Sequence, residues 1–241
     1  MSGLPLLGTF HEFSVASGDV RGGVDFYERL GFTQATTTDA YSHPYGVLTD
    51  GRLFVGLHER PVPSPVLTFV RSGVAQCVPA FVDAGVELTV CHTGEDVFNE
   101  IGFTDPSGQA VAVLEARTYS PVERGANEPS LCGDFAEVSL PVADFSAAQA
   151  FWESLGFVAA DEEEQPYPHM SLTSDHLDVA FHHPRLCPRP MLVFSSADMP
   201  ARIARLRQLG VPFAPPPRGV AAAALIEAPD DTTLLLLATA D

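Results

Sequence analysis

The chain has 241 residues and a formal charge of -18 at pH 7, and its hydrophobic share of 46% is enough to bury real cores. All 13 basic residues are arginine, which excludes lysine Schiff-base chemistry. The acidity argues against nucleic acid and anionic lipid as partners and favours cationic ligands, unless it serves solubility alone.

The opening MSGLPLLGTF has neither a basic region nor a long apolar run, so no signal peptide is read there. No run approaches the roughly 18 apolar residues of a membrane span. Cys77, Cys91, Cys132 and Cys187 form no CxxC pair and no zinc spacing. The expected setting is the cytoplasm, with reduced thiols and no membrane.

Residues 10–16 alternate as a half-buried strand does, with Phe13 and Val15 on one face and Glu12 and Ser14 on the other. Asp19 then caps a predicted helix in which Val20, Val24, Tyr27 and Leu30 recur at helical spacing, and Gly31 ends it. Strands are predicted at 33–38, 46–49 and 53–58, the last two joined by the turn Asp50-Gly51. Proline-rich 58–65 leads to a weaker copy of the same order. That copy has a strand at 66–71, a helix at 74–84 and strands at 87–91, 101–104 and 110–115, with the turn DPSG between the last two.

The order then returns. DFYERLGF at 25–32 comes back as AFWESLGF at 150–157, and residues 12–32 match 137–157 at eight of 21 positions. An offset of 125 residues is too long for a solenoid and marks a whole domain present twice. PMLVF matches PVLTF, Leu209-Gly210-Val211 matches Ala84-Gly85-Val86, and APDDTTLLLL matches DPSGQAVAVL. The expected organisation is a domain at 1–118, a polar, turn-rich linker at 119–132 and a second domain at 133–241.

A strand, an Asp-capped helix carrying FY and LGF, three strands, and DPxG before the last of them resemble the vicinal oxygen chelate superfamily. That superfamily includes glyoxalase I, fosfomycin- and bleomycin-resistance proteins and extradiol dioxygenases. The resemblance covers nearly the whole chain. It implies an α+β fold of four βαβββ modules, paired into two glyoxalase-like domains with curled mixed sheets about an approximate two-fold. It also implies one divalent metal, with ligands on the first, fifth and eighth strands of a domain. Those slots fall on Glu12, Val66 and Ala112 in the first half and on Glu137, Met191 and Leu235 in the second. Only the glutamates suit a hard divalent ion, so no metal and no other cofactor is expected.

Glu12 and Glu137 are the leading site candidates. On the face opposite the helices each would pair with a cation or act as a general base, or else stand as a polar residue on a wet strand. Ser14 and Ser139 share that face. His58 and His182 end the matched fourth strands, either in the same pocket or in solvent. His169 matches Tyr45, and both are placed near a pocket mouth. His182 and His183 are adjacent, so their rings should point to opposite faces rather than chelate. Trp152, the lone tryptophan, stands for Tyr27 and reads as core rather than as a ligand platform. Arg71 and Glu100 are weaker rim candidates. His11 has the opposite parity to Glu12, and His43 and His92 border loops.

Three functions stay open. The first is a metal-free protein resembling the bleomycin-resistance branch, binding a small, partly apolar, cationic compound in pockets where the domains meet, as a pseudo-two-fold monomer or a homodimer. The second is a lyase, isomerase or dioxygenase-type enzyme using a Glu base or a metal recruited by Glu12, His58 and Glu100. The third is a scaffold for a protein partner.

Overall fold

The structure, a computed structural model, describes residues 6–35, 43–61, 63–116, 130–217, 220 and 224–239. The first half runs β1 (Thr9–Ala16), α1 (Val20–Arg29), β2 (Thr33–Gln34), β3 (Tyr45–Thr49) and β4 (Phe54–His58). It continues with β5 (Val66–Arg71), α2 (Val74–Asp83), β6 (Leu88–His92), β7 (Glu100–Thr104) and β8 (Ala110–Glu115). The second half repeats the order as β9 (Asp134–Pro141), α3 (Phe145–Ser154), β10 (Val158–Glu163), β11 (His169–Thr173) and β12 (Asp178–His182). It closes with β13 (Met191–Ser196), α4 (Met199–Gln208), β14 (Ala224–Glu227) and β15 (Thr233–Ala238).

The capping aspartates act as the sequence predicts. The Asp19 carboxylate accepts the Gly22 N–H at 2.9 Å, and Asp144 accepts the Ala147 N–H at 3.1 Å. Beyond each helix the chain turns through a left-handed glycine, Gly31 at φ 88° and Gly156 at φ 101°. Between these ends Tyr27 and Leu30, and likewise Trp152 and Leu155, are driven into the core.

The first half forms one eight-stranded sheet in the order β2-β3-β4-β1-β5-β8-β7-β6. Its two modules meet where β1 runs antiparallel to β5, with β4 and β8 parallel to them on the outer sides. The second sheet has seven strands in the equivalent order β10-β11-β12-β9-β13-β15-β14. Its fourth module departs from the expected βαβββ pattern. The strand after α4 is reduced to a single bridge between Ala214 and Leu225. The sequence there is VPFAPPP, and proline nitrogens cannot donate to a ladder.

Smaller expectations also shift. The strand placed at 87–91 is Leu88–His92, and the helix placed at 74–84 stops at Asp83. Of the strand at 33–38 the ladder holds Thr33 and Gln34, while residues 36–38 and most of the linker lie outside the described residues.

A single apolar cluster runs through both halves, from Phe13, Phe69 and Phe103 to Trp152, Phe181 and Phe194. Phe32 meets Phe194 at 6.1 Å between ring centres, and Phe103 meets Phe151 at 6.0 Å. The polar contacts across this core are reciprocal. Tyr27 Oη donates to Asp230 Oδ1 at 3.4 Å, and Trp152 Nε1 donates to Asp105 Oδ2 at 3.1 Å. Each half's first helix thus reaches the other half's last turn, as an approximate two-fold requires.

The two contacts differ in quality. Asp105 Oδ1 also takes the Ser107 and Gln109 N–H groups at 2.8 Å each. Asp230 has the long Tyr27 bond and the Thr232 N–H, and its Oδ2 has no hydrogen-bond partner. Burial therefore raises the Asp230 pKa despite the bonds from Thr232 and Tyr27, and the neighbouring Asp231 adds to the rise. A raised folded-state pKa gives stability that is full below the unfolded value and lost as pH climbs through the folded one. Asp230→Asn is therefore expected to stabilise the protein by about 1 kcal/mol at pH 7 and to change nothing in strong acid. Urea melts of both proteins at the two pH values test this, and an unchanged difference between them would refute it.

Candidate functional site

A β-bulge sets the geometry of the first sheet's cavity face. In the β1–β5 ladder Phe10 pairs with Phe69 and Glu12 with Thr68, so His11 is the extra residue. The bulge lets Phe10 pack edge-on against Phe69 in the core, at 5.4 Å, while Glu12 and Ser14 turn to the opposite face. The second sheet repeats it, with Phe135 opposite Phe194 and Glu137 opposite Val193. Alternation therefore placed both glutamates correctly and missed the bulge that frees them from their neighbours' parity.

Glu12 is 1% exposed and holds a converging set of donors. Oε1 accepts from Ser14 Oγ at 2.7 Å and from His58 Nε2 at 2.9 Å, and Oε2 accepts from Tyr45 Oη at 2.5 Å. Ser14 Oγ lies 2.7 Å from Thr68 Oγ1, and His58 Nδ1 lies 3.0 Å from His43 Nε2. Gly56 makes the room, since a Cβ there would fall 2.5 Å from the Glu12 carboxylate atoms. Burial alone would raise the Glu12 pKa, but the bonds from His58, Tyr45 and Ser14, with the His11 charge, bring it below the usual carboxylate value. Of the two readings for the strand-end histidine, the buried one holds: His58 is in the cluster and not in solvent.

Above this cluster opens a cavity of about 660 Å³. Glu12, Ser14, His58 and Thr68 form its polar floor, and Val66, Ala110, Ala112 and Leu114 an apolar wall. Small side chains at Ala110 and Ala112 leave the space. At the mouth stand Arg60, Pro61, Glu100 and Phe98, the last 62% exposed. Glu100 is held by His92 at 2.8 Å. Arg71, the other rim candidate, donates instead to the Leu6 carbonyl. This cavity lies within the first sheet, while two smaller ones, of about 210 and 220 Å³, lie where the halves meet, beside Phe69 and Leu155 and beside Phe13 and Asp230.

The same face of the second sheet is packed. Met191 and Leu235, in the two metal slots, join Tyr167, Cys187, Val193, Val220 and Leu225 in a separate buried apolar cluster. Ser139 Oγ donates to His182 Nδ1 at 2.8 Å, and His182 Nε2 donates to the Cys187 carbonyl at 2.9 Å. Burial pushes the His182 pKa down to about 4, so the ring is a neutral core group. His183 points the other way and stacks on Phe145 at 4.8 Å, as adjacency predicts. His169 pairs with His182 across the strands and bonds the Tyr167 carbonyl. Glu137 receives one bond, from Ser171 at 3.1 Å, and burial raises its pKa, assisted by Asp178 and Glu163.

The donor set does not fit the metal that the resemblance implies. Thr68, not Val66, stands opposite Glu12, and Ala112 stands opposite Thr68. Alanine has no atom to offer, the neutral Thr68 hydroxyl is bonded to Ser14, and three of the Glu12 lone pairs already take hydrogens. The rearranged set fails too, because Glu100 is engaged with His92 at the mouth. Among the described residues no three His, Cys, Asp or Glu groups are placed to share an ion.

Sequence reasoning missed Thr68 and His43. Thr68 had a signal, as the one mid-strand polar residue in VLTFVR. His43 had none, because loop position alone does not say which strand a side chain meets.

No protein-family model and no curated protein matches this chain. Solved structures do. A catechol 2,3-dioxygenase superposes with a TM-score of 0.62 at 14% identity, over 96% of this chain and 88% of that one. A variant of homoprotocatechuate 2,3-dioxygenase from Brevibacterium fuscum gives 0.64 at 15% identity, over 100% and 73%. The Arthrobacter globiformis enzyme of that name gives 0.63 at 14%, over 98% and 81%. These neighbours are extradiol dioxygenases of the vicinal oxygen chelate superfamily.

The chain has the vicinal oxygen chelate fold. At such identities the likeness speaks for the fold and not for the activity. Within this vicinal oxygen chelate frame, the first sheet keeps an open cavity and the second has filled its own. No helix among the described residues is long and apolar enough to cross a membrane.

Proposed function

We propose that this protein binds a small, partly apolar, positively charged compound, of the kind found among natural products, in the cavity of its first domain. In this reading residues 1–118 hold the ligand without a metal, and residues 133–241 serve as a supporting domain. The observation that carries it is the asymmetry between two copies of one design. One copy keeps about 660 Å³ of space over a buried carboxylate. In the other, Met191, Leu235 and their neighbours close the same face. A mostly apolar wall with a few convergent polar groups is the common form of a small-molecule site. A general-base enzyme is the weaker reading, because the bonds that lower the Glu12 pKa also make it a poor base. Cytoplasmic residence fits the four free cysteines.

The test is a ligand-induced stability shift across a panel of cationic and neutral natural products. At a hundredfold excess over Kd a true ligand should add about 2.7 kcal/mol. Ala112→Phe, which fills the first cavity, should abolish the shift, and Glu137→Gln should leave it intact. Purified protein should carry substoichiometric zinc, iron, nickel and manganese, and a chelator should not move its melting point. A shift that survives Ala112→Phe, or one tightly held metal per chain, would overturn the reading.

A further inference from the structure

We propose that the cavity selects its ligand through N–H groups: the charged end is a primary or secondary ammonium or a guanidinium, seated over Glu12 and Thr68, and not a quaternary ammonium. This rests on the reading of the cavity as the binding site and adds the chemistry of the group it recognises.

The inference follows from where the hydrogens of the floor must point. A carboxylate only accepts, so Tyr45 Oη, Ser14 Oγ and His58 Nε2 all give their hydrogens to Glu12. Ser14 has a single hydroxyl hydrogen, and it is spent on Glu12. The 2.7 Å contact between Ser14 and Thr68 therefore has Thr68 as its donor. Three polar hydrogens on the floor thus run to one carboxylate, and a fourth, from Thr68, runs to Ser14. What the floor presents to the cavity is lone pairs, on Glu12 Oε2 and on Thr68 Oγ1, with the Glu100 carboxylate above them at the mouth.

Such a surface discriminates three ways. An ammonium or guanidinium brings hydrogens to atoms that lack them and a positive charge to a carboxylate. A carboxylate or phosphate on the ligand meets acceptors only, and Arg60, the one guanidinium in the described lining, stands at the mouth and not on the floor. A trimethylammonium group has the charge without the hydrogens and depends on aromatic faces for its binding. The described lining holds two phenyl rings, Phe98 and Phe103, and the His58 imidazole, whose Nε2 is bonded to Glu12. Phe103 is 1% exposed and packed against Phe81 at 5.8 Å, and Phe98 is at the mouth, so among the described residues no cage of aromatic faces encloses the floor.

Three probes with one tail separate the cases: 2-phenylethylammonium, its N,N,N-trimethyl analogue and 3-phenylpropionate, each titrated calorimetrically into wild type and Thr68→Val. The ammonium should bind about tenfold tighter than either of the others, as expected when a site built for an N–H group meets an analogue lacking it. Thr68→Val keeps the side-chain volume and removes one acceptor. It should weaken the ammonium about threefold or more and leave the trimethyl analogue unchanged. Trimethylammonium binding as tightly as ammonium would overturn the N–H requirement while keeping a cation-binding cavity. Preferred binding of the propionate would overturn the requirement and the cationic reading together. If no probe binds either protein at millimolar concentration, both this inference and the cavity's proposed role fall. A folded Thr68→Val, checked by its melting curve, that holds the ammonium as tightly as wild type would remove Thr68 from the contact.

Discussion

Glu12→Gln is expected to cost about 1.5–3 kcal/mol of folding stability at pH 7, while the matching change in the second half, Glu137→Gln, should bring a gain of up to about 1 kcal/mol. The two residues occupy the same place in the repeat, so sequence alone would assign them one effect. Their surroundings differ. Glu12 satisfies three buried donors, and glutamine would turn an N–H₂ group toward at least one of them. Glu137 has one donor, and burial raises its pKa. The pH dependence separates the cases further. A lowered folded-state pKa gives stability present above the unfolded value and lost as pH falls through the folded one, so the Glu12 penalty should shrink in acid. The Glu137 sign is the reverse: the gain from removing it should be seen at neutral pH and vanish in acid. Denaturant melts of both variants at neutral and acid pH decide this. Equal penalties for the two would mean that the donors around Glu12 contribute nothing.

Trp152→Ala should be the most damaging single change in the second half, at about 3–5 kcal/mol, or a fall on the order of 10 °C in melting temperature. The side chain is fully buried, packs edge-on against Phe157 at 5.0 Å, and bonds Asp105 across the two halves. Removing it opens a cavity and leaves a carboxylate oxygen without its donor. Trp152→Phe isolates the second effect and should cost about 1 kcal/mol more than the lost volume alone predicts. Thr104 and Ala110, on either side of the turn that Asp105 begins, line the first-half cavity. The lone indole should therefore report occupancy of the first-half cavity by a change in fluorescence. Chemical denaturation measures the first effect and a fluorescence titration the second. A Trp152→Ala loss no larger than that of an exposed substitution would show that the halves do not depend on this contact.

The fold was legible because it was written twice. Asp19 and Asp144, Gly31 and Gly156, and Tyr27 and Trp152 each hold the same structural office, and period-two alternation put Glu12 and Glu137 on the right face. What the sequence did not disclose depends on distance in space. That His58 would be buried and bonded to Glu12 follows from the parallel pairing of β1 with β4, which no local pattern states. That the two glutamates would differ follows from loops such as Tyr167 and Cys187 folding over one sheet and not the other. The strand lost after α4 was visible as a run of prolines and was masked by the match at Leu209-Gly210-Val211, three residues too early to settle it.

The continuous core also bears on which parts of the chain can be dispensed with. Phe32 on Phe194 and Phe103 on Phe151 mean that neither half finishes its own interior. Expressed alone, residues 1–118 would carry the cavity and also an uncovered aromatic face, and should aggregate or pair with themselves. Mixed with residues 133–241, they should regain a native melting transition. The second half thus supplies part of the first half's interior through Phe151 and Phe194. Substitutions at Phe151 or Phe194 should therefore unsettle the first half as well as the second.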